Sequence, residues 1–164
     1  MGRHSWSRLN HLQVGRFAEY FVKMEFALYG FQVYTSEVDD RGIDFIVRHE
    51  SGGFYEVQVK SIRGLNYVFM QKDKFPLRPD RLAAVVILVE DQPPDLYLIP
   101  APAWESPNAL LVSRDYEGKQ SKPEWGLNLS TKNLPLLANF RFDGVVGSLM
   151  QGGAEPSAGA TRSR

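Results

Sequence analysis

Gly42-Ile43-Asp44-Phe45-Ile46-Val47, then His49-Glu50-Ser51-Gly52-Gly53, then Phe54-Tyr55-Glu56-Val57-Gln58-Val59-Lys60-Ser61: this stretch decides how the chain is read. Two runs rich in β-branched and aromatic residues flank a cluster of turn formers, the pattern of a β-hairpin over 43–61. Period-two alternation puts Tyr55, Val57 and Val59 on one face of the second run and Glu56, Gln58 and Lys60 on the other. The apolar face belongs in a core, so the opposite face carries an acid, an amide and an amine in a row. With Ser51 at the centre of the turn, antiparallel partners sum to about 102, and Asp44 falls opposite Gln58 with Cβ atoms roughly 4.5–5.5 Å apart. Asp44 sits between Ile43 and Phe45 in a strand otherwise built of Ile, Phe and Val. Strands disfavour aspartate, and a buried carboxylate needs a partner. Lys60 could supply it, or a metal ion could.

Outward from the hairpin, residues 9–29 read as a helix. Phe17, Phe21, Met24 and Leu28 form one apolar stripe, and Ala18, Val22, Phe26 and Tyr29 form a second about 100° away. Gln13, Arg16, Glu19 and Lys23 make the remaining polar stripe, and Gly30 suits a left-handed cap. Phe31–Tyr34 reads as a short strand, followed by an acidic loop over 37–40. Leu82–Val89 is apolar without alternation, as in a strand buried on both faces. Gln92-Pro93-Pro94 turns the chain and 95–100 returns beside it. Residues 62–81 read as a connector and 101–124 as an irregular excursion. Residues 125–129 suit one more short strand and 134–142 a closing helix. The order predicts an α/β or α+β sandwich with a single domain over 1–150. The small, polar residues 151–164 are expected to be a disordered tail.

Composition narrows the function classes. The chain has no cysteine, which excludes a disulfide scaffold, a zinc–cysteine site and a thiol nucleophile. Nineteen Lys and Arg balance nineteen Asp and Glu, which argues against charge-driven coating of nucleic acid or membrane. No apolar run reaches the ~18 residues of a membrane span, and no signal region opens the sequence, so a cytoplasmic protein is expected. The glycine after Met1 is not a myristoylation signal, because Trp6 stands where Ser or Thr is needed. His4, His11 and His49 lack metal-ligand spacing, and there is no nucleophile elbow or phosphate-binding glycine loop. The neutral total hides a local excess over 60–81: Lys60, Arg63, Lys72, Lys74, Arg78 and Arg81 face only Asp73 and Asp80. Phosphate backbones attract such segments. Trp104 and Trp125 read as cover for the core rather than platforms for stacked bases.

Gly42-Ile43-Asp44-Phe45 followed by Glu56-Val57-Gln58-Val59-Lys60 resembles the core of the PD-(D/E)XK nuclease superfamily. Upstream, Gly15-Arg16-Phe17-Ala18-Glu19 resembles the first-helix glutamate motif of Holliday-junction resolvases. The Gln-x-Lys form is similar to Mrr-type restriction endonucleases and to a group of small bacterial proteins with the same core. The resemblance spans 15–61 closely and 82–100 loosely. It implies an α/β, restriction-endonuclease-like fold, a mixed β-sheet flanked by helices, and hydrolysis of DNA phosphodiesters with Mg²⁺ or Mn²⁺. In that scheme Asp44 is the main metal ligand, Gln58 offers its amide oxygen and Val59 its backbone carbonyl. Glu19 holds the ion through water or binds a second one, and Lys60 orients the attacking water or stabilises developing charge. An amide oxygen is a weaker Mg²⁺ ligand than a carboxylate, and Glu56, two residues earlier on the same face, is a candidate substitute. Arg63, Lys72 and Lys74 are the expected contacts to nucleic acid. Related nucleases often dimerise to cut two strands, so a homodimer is carried as an expectation without a sequence feature that specifies its interface.

Each assignment has a competing structural reading. Asp44 fits an ion pair with Lys60 or Arg41, Glu19 a solvated stripe with Arg16 and Lys23, and Glu56 a surface strand position. The basic segment fits a solvated connector. Gln58 and the balanced charge favour the alternative to an enzyme: a catalytically inactive nuclease-like module that binds nucleic acid or a protein partner.

Overall fold

The computed structural model describes residues 2–38 and 41–151. Asp39 and Asp40 of the acidic loop lie outside the described residues, as does the expected tail apart from Gln151.

Helix α1 runs His11–Leu28. Asn10 caps it: its side chain accepts from the Gln13 backbone N–H while the Gln13 side chain accepts from the Asn10 N–H, both at 2.9 Å. Gly30, at φ +85°, ends the helix in the left-handed region, and the Phe31 N–H closes back on the Phe26 carbonyl. Val14, Ala18, Val22 and Phe26 are its buried residues. Phe17 and Phe21 pack at the margin, whereas Met24 and Leu28 are 61% and 76% exposed. The second expected stripe is therefore buried at Ala18, Val22 and Phe26 and half-buried at Tyr29, while the first is left uncovered toward its end. Replacing Asn10 with Ala removes the side-chain acceptor of the Gln13 N–H and leaves only the reciprocal bond from the backbone N–H of residue 10 to the Gln13 side chain. It is expected to lower stability by about 1 kcal/mol, read as a fall in the midpoint of urea unfolding at constant slope.

The main sheet has the order β1-β2-β3-β5-β6, from strands β1 (Gln32–Thr35), β2 (Phe45–Arg48), β3 (Phe54–Arg63), β5 (Arg81–Leu88) and β6 (Asp95–Pro100). All neighbours are antiparallel except β3 and β5, which run parallel, so the sheet is mixed. The β2–β3 register pairs Phe45 with Val57 and Ile46 with Glu56, the predicted sum. Every residue of β5 is buried. Leu82, Ala84, Val86 and Leu88 join the core beneath α1, while Ala83, Val85 and Ile87 join a second core on the other side. This two-sided burial explains the missing alternation. Each buried Val or Leu contributes roughly 1.5–3 kcal/mol.

The second core lies between the main sheet and a three-stranded antiparallel sheet of order β4-β8-β7: β4 is Tyr67–Gln71, β7 Leu111–Arg114 and β8 Glu124–Asn128. The expected connector over 62–81 and excursion over 101–124 thus each contain a strand. Trp104 is fully buried there, donating from Nε1 to the Gly126 carbonyl and meeting Phe75 edge-on at 5.7 Å. The expected closing helix over 134–142 is a short turn, α2 (Leu134–Leu137), and the longer closing helix is α3 (Phe142–Gln151). Phe142 anchors α3, meeting Phe26 at 5.0 Å and Tyr29 at 5.7 Å. Among the described residues no helix is long and apolar enough to cross a membrane.

Two tyrosines tie stability to alkaline pH. Burial pushes the Tyr67 hydroxyl up to about 12, reinforced by Glu124, and burial pushes Tyr97 up to about 12, reinforced by its hydrogen bond to Asp95. Both hold their protons more tightly folded than unfolded, so their contribution is complete below the ordinary tyrosine value of 10.0 and is lost as pH rises toward 12. The melting temperature is expected to drop across that window. A Tyr97→Phe variant should show a shallower drop, and identical profiles would count against the assignment.

Candidate active site

The site forms where β2 parts from β3. The last ladder pair at that end is Phe45 with Val57. One residue earlier, Asp44 sends its backbone N–H to the Val57 carbonyl at 2.9 Å, and its Oδ2 accepts from the Val59 N–H at 2.5 Å. The aspartate side chain thus takes the place that a further β2 carbonyl would occupy. N–H and C=O of one strand residue point to the same neighbour, so the Val59 carbonyl also faces this gap. Asp44 therefore stands just ahead of the strand rather than inside it, in a half-buried position. Continuing the register by one residue sets it opposite Gln58, as the sequence predicts.

Gln58 is the least satisfied polar residue here. Its Oε1 is buried and has no hydrogen-bond partner among the described residues. Its Nε2 lies on the side of Gly42, 3.5 Å from where a Cβ at that position would be. Gly42 has φ +69°, and such a Cβ would also meet the Lys74 carbonyl at 3.2 Å. The turn into Asp44 thus depends on glycine for both conformation and space. A buried acceptor without a donor is unfavourable by about 1–3 kcal/mol, and a hard cation satisfies an amide oxygen as well as a donor does.

Glu19, Val59 and Lys60 line one open cleft of about 640 Å³ between the first half of α1 and β3, together with Asn10, Gln13 and Arg16. Glu19 is one-quarter exposed and accepts from Arg16 at 2.9 Å, an i,i+3 pair on the helix. Asp44 does not line this cleft itself but is bonded to Val59, which does. Among the described residues no three His, Asp or Glu side chains gather as metal ligands. The structure thus brings Glu19, Val59 and Lys60 to one cleft, while Gln58 is placed on the side of Gly42.

Other expected residues lie elsewhere. Glu56 is held by Arg78 at 2.5 Å and Arg81 at 2.8 Å, so its carboxylate is engaged with cations. Arg63 donates to the Leu9 carbonyl, just before the helix cap, and lines a small neighbouring recess with His11. Lys72 belongs to the second sheet, bonded to Ser113 at 2.7 Å and Asp115 at 2.6 Å, with its ammonium 4.0 Å from the Trp125 ring centroid. Lys74 is exposed and lines a separate cleft with Arg41, Ile43, Glu56 and Arg78.

Sequence reasoning missed Arg81. It counts toward the basic segment, yet it is 2% exposed. Its Nη1 donates to Glu56, and its Nη2 donates to the carbonyls of Gly42 at 2.6 Å and Lys74 at 2.7 Å. It ties the turn before Asp44 to β3 and to the segment after β4. Its place directly ahead of the unbroken apolar run Leu82–Leu88 is the signal that could have marked it as interior.

No protein-family model matches the chain, and no curated protein matches it in sequence. Solved structures do match. Hjc, a Holliday junction resolvase from the archaeal hyperthermophile Archaeoglobus fulgidus, superposes with TM-score 0.53 at 14% identity, covering 81% of this chain and 95% of its own. A bacterial homing endonuclease superposes with TM-score 0.52 at 16% identity, covering 93% of this chain and 95% of its own. The α/β fold with its mixed sheet is the restriction-endonuclease-like fold expected from the motifs, shared with nucleases.

Proposed function

We propose that this chain is a metal-dependent nuclease domain that hydrolyses DNA phosphodiesters. The observation that carries this reading is the buried, unpartnered Gln58 Oε1 beside a strand gap filled by the Asp44 carboxylate. Nuclease folds of this architecture, a resolvase and a homing endonuclease among them, support it.

Asp44, Gln58 Oε1 and the Val59 carbonyl would hold a divalent ion, Mg²⁺ or Mn²⁺, and Glu19 would contact its water from the helix side. When bound, such an ion supplies an activated water and neutralises phosphate charge. The rest is done by the chain. The Val59 N–H fixes the Asp44 carboxylate in one orientation. Lys60 lines the cleft and offers an ammonium to position the attacking water or to balance charge on the phosphate. Arg81 holds the turn that carries Asp44. Glu56 stays with Arg78 and Arg81, so the ligand set works with Gln58 in the position where an acid would be stronger. Arg63 at the cleft's flank and exposed Lys74 contact the DNA backbone, whereas Lys72 is engaged with Ser113 and Asp115. The reading places the protein in the cytoplasm, acting on DNA as a monomer or homodimer.

The test is cleavage of plasmid, linear and branched DNA with Mg²⁺ or Mn²⁺, and its loss with chelator. No cutting of any substrate overturns the enzymatic reading. Salt-sensitive DNA binding without cutting would favour a nuclease-like binding module instead.

A further inference from the structure

The second sheet carries a built pocket that the nuclease reading does not use. Two more buried polar atoms lack a partner among the described residues, Tyr67 Oη and Glu124 Oε2. The register pairs Tyr67 with Asn128, Phe69 with Gly126 and Gln71 with Glu124, so these side chains share the face turned away from the second core. Tyr67, Phe69 and Glu124, together with Arg114, Tyr116 and Lys122, line a pocket of about 450 Å³, within the range of small-ligand sites. Glu124 is only 4% exposed. Its Oε1 accepts from the Tyr116 hydroxyl, which leaves Oε2 waiting for a donor. Gly126 has no room for a side chain: a Cβ there would lie 2.0 Å from the Tyr67 hydroxyl oxygen, so glycine lets the ring lie flat across the sheet. The Tyr67 and Phe69 rings run near-parallel at 21°, 6.2 Å between centroids, and Phe69 is 47% exposed. The Arg114 guanidinium sits 4.3 Å from the Tyr67 ring centroid, and Arg114 and Lys122 are both exposed.

We infer that this pocket binds a nucleobase bearing an exocyclic amine, with cytosine the best fit. The ligand must bring an N–H donor to a single vacant carboxylate oxygen, a flat apolar face to Phe69, and negative charge to Arg114 and Lys122. A nucleotide has all three. A carboxylate accepts from the cytosine N4 amine, whose hydrogen on the C5 side points away from any ring acceptor. Uracil places a carbonyl oxygen at the same position and meets the carboxylate with like polarity. Exposed aromatic faces stack on bases whatever their sequence, so Phe69 supplies affinity and Glu124 supplies choice. The inference adds a second nucleic-acid contact to the proposed nuclease reading, but its test uses mononucleotides and no cleavage, so either idea can fail without the other.

The experiment is titration of the full-length chain with dCMP and with dUMP, followed by backbone amide shifts in NMR. Saturable shifts are expected at residues 67–71 and 112–126, with dCMP bound on the order of tenfold more tightly than dUMP. In Glu124→Gln, the amide oxygen can keep the Tyr116 hydroxyl while the NH₂ group faces the pocket. The preference should then vanish or reverse toward dUMP. Phe69→Ala, at an exposed position, should weaken both ligands without changing the preference. Equal affinity for the two nucleotides, shifts confined to other surfaces, or an unaltered preference in Glu124→Gln overturns the inference. If Glu124→Gln does not fold, the dCMP–dUMP comparison on the parent and Phe69→Ala still decides it.

Discussion

Replacing Arg81 with Met is expected to destabilise the protein by about 3–5 kcal/mol, the usual consequence of removing one partner from a buried ion pair. The guanidinium reaches three elements at once: Glu56 on β3, Gly42 in the turn before Asp44, and Lys74 after β4. Its removal leaves two carbonyls without their donor and a carboxylate facing Arg78 alone. Met fills part of the space, which still packs against Phe75, now 5.4 Å from the guanidinium carbon, so the loss comes mainly from polar groups left unmatched. In a chain of 164 residues, each kcal/mol moves the melting temperature by roughly 2–4 °C, so a fall of about 10 °C is expected in calorimetry. Glu56→Gln should be milder, because Glu56 is one-quarter exposed and Gln still accepts from Arg81. A fall below about 2 °C for Arg81→Met would mean that the Gly42 turn is held by other contacts.

Arg81 also shows where sequence reading reaches its limit. A charge count treats every Lys and Arg in 60–81 as available, but whether a cation meets solvent is a tertiary fact. Arg81 is interior, Arg78 pairs with Glu56 and Asp80, and Lys72 is bonded to Ser113 and Asp115. What was legible rests on local periodicity. The alternation of β3, the turn at Ser51 and the unbroken apolar run of β5 follow from side-chain period and fix register and layer before any contact is known. The Asp44–Val59 bond was not legible as such, though the register placed Asp44 at that level.

The second sheet was illegible for the opposite reason. β4 and β7 are five and four residues long and both pair with β8, more than forty positions from β4, so no local pattern identifies them as partners. Helix α3 contains Gly144 and Gly147, each disfavouring helix by ~1 kcal/mol. It forms because Phe142 and Val146 are buried against the first core. On α1, Met24 and Leu28 fit an apolar stripe by spacing and are nonetheless exposed, since periodicity tells which residues share a face but not whether a neighbour covers it. The pocket gathers Tyr67, Arg114 and Glu124 from three strands, a grouping with no signature along the chain.

Asp44→Asn is expected to reduce metal-dependent DNA cleavage on the order of 10³-fold while leaving the fold intact. The substitution separates the two tasks of this residue. One structural task is to accept the Val59 N–H, a bond that an Asn carbonyl oxygen still accepts, though less strongly than a carboxylate. Its proposed chemical task is to bring negative charge to a divalent ion, which Asn cannot do. Without metal, parent and variant should therefore melt within about 4 °C of each other. With Mg²⁺ they should diverge. A ligand bound only to the folded state stabilises it by about 2.7 kcal/mol at a hundredfold excess over its dissociation constant, so the parent should gain several degrees and the variant little. Lys60→Ala should lose cleavage yet keep the Mg²⁺-induced rise, because its ammonium is assigned to the water and phosphate rather than to the ion. A parent that shows neither cleavage nor a Mg²⁺-induced rise would make the Asp44 carboxylate a structural cap on the β3 ladder and nothing more. A variant that cuts as fast as the parent would move the chemistry away from this gap altogether.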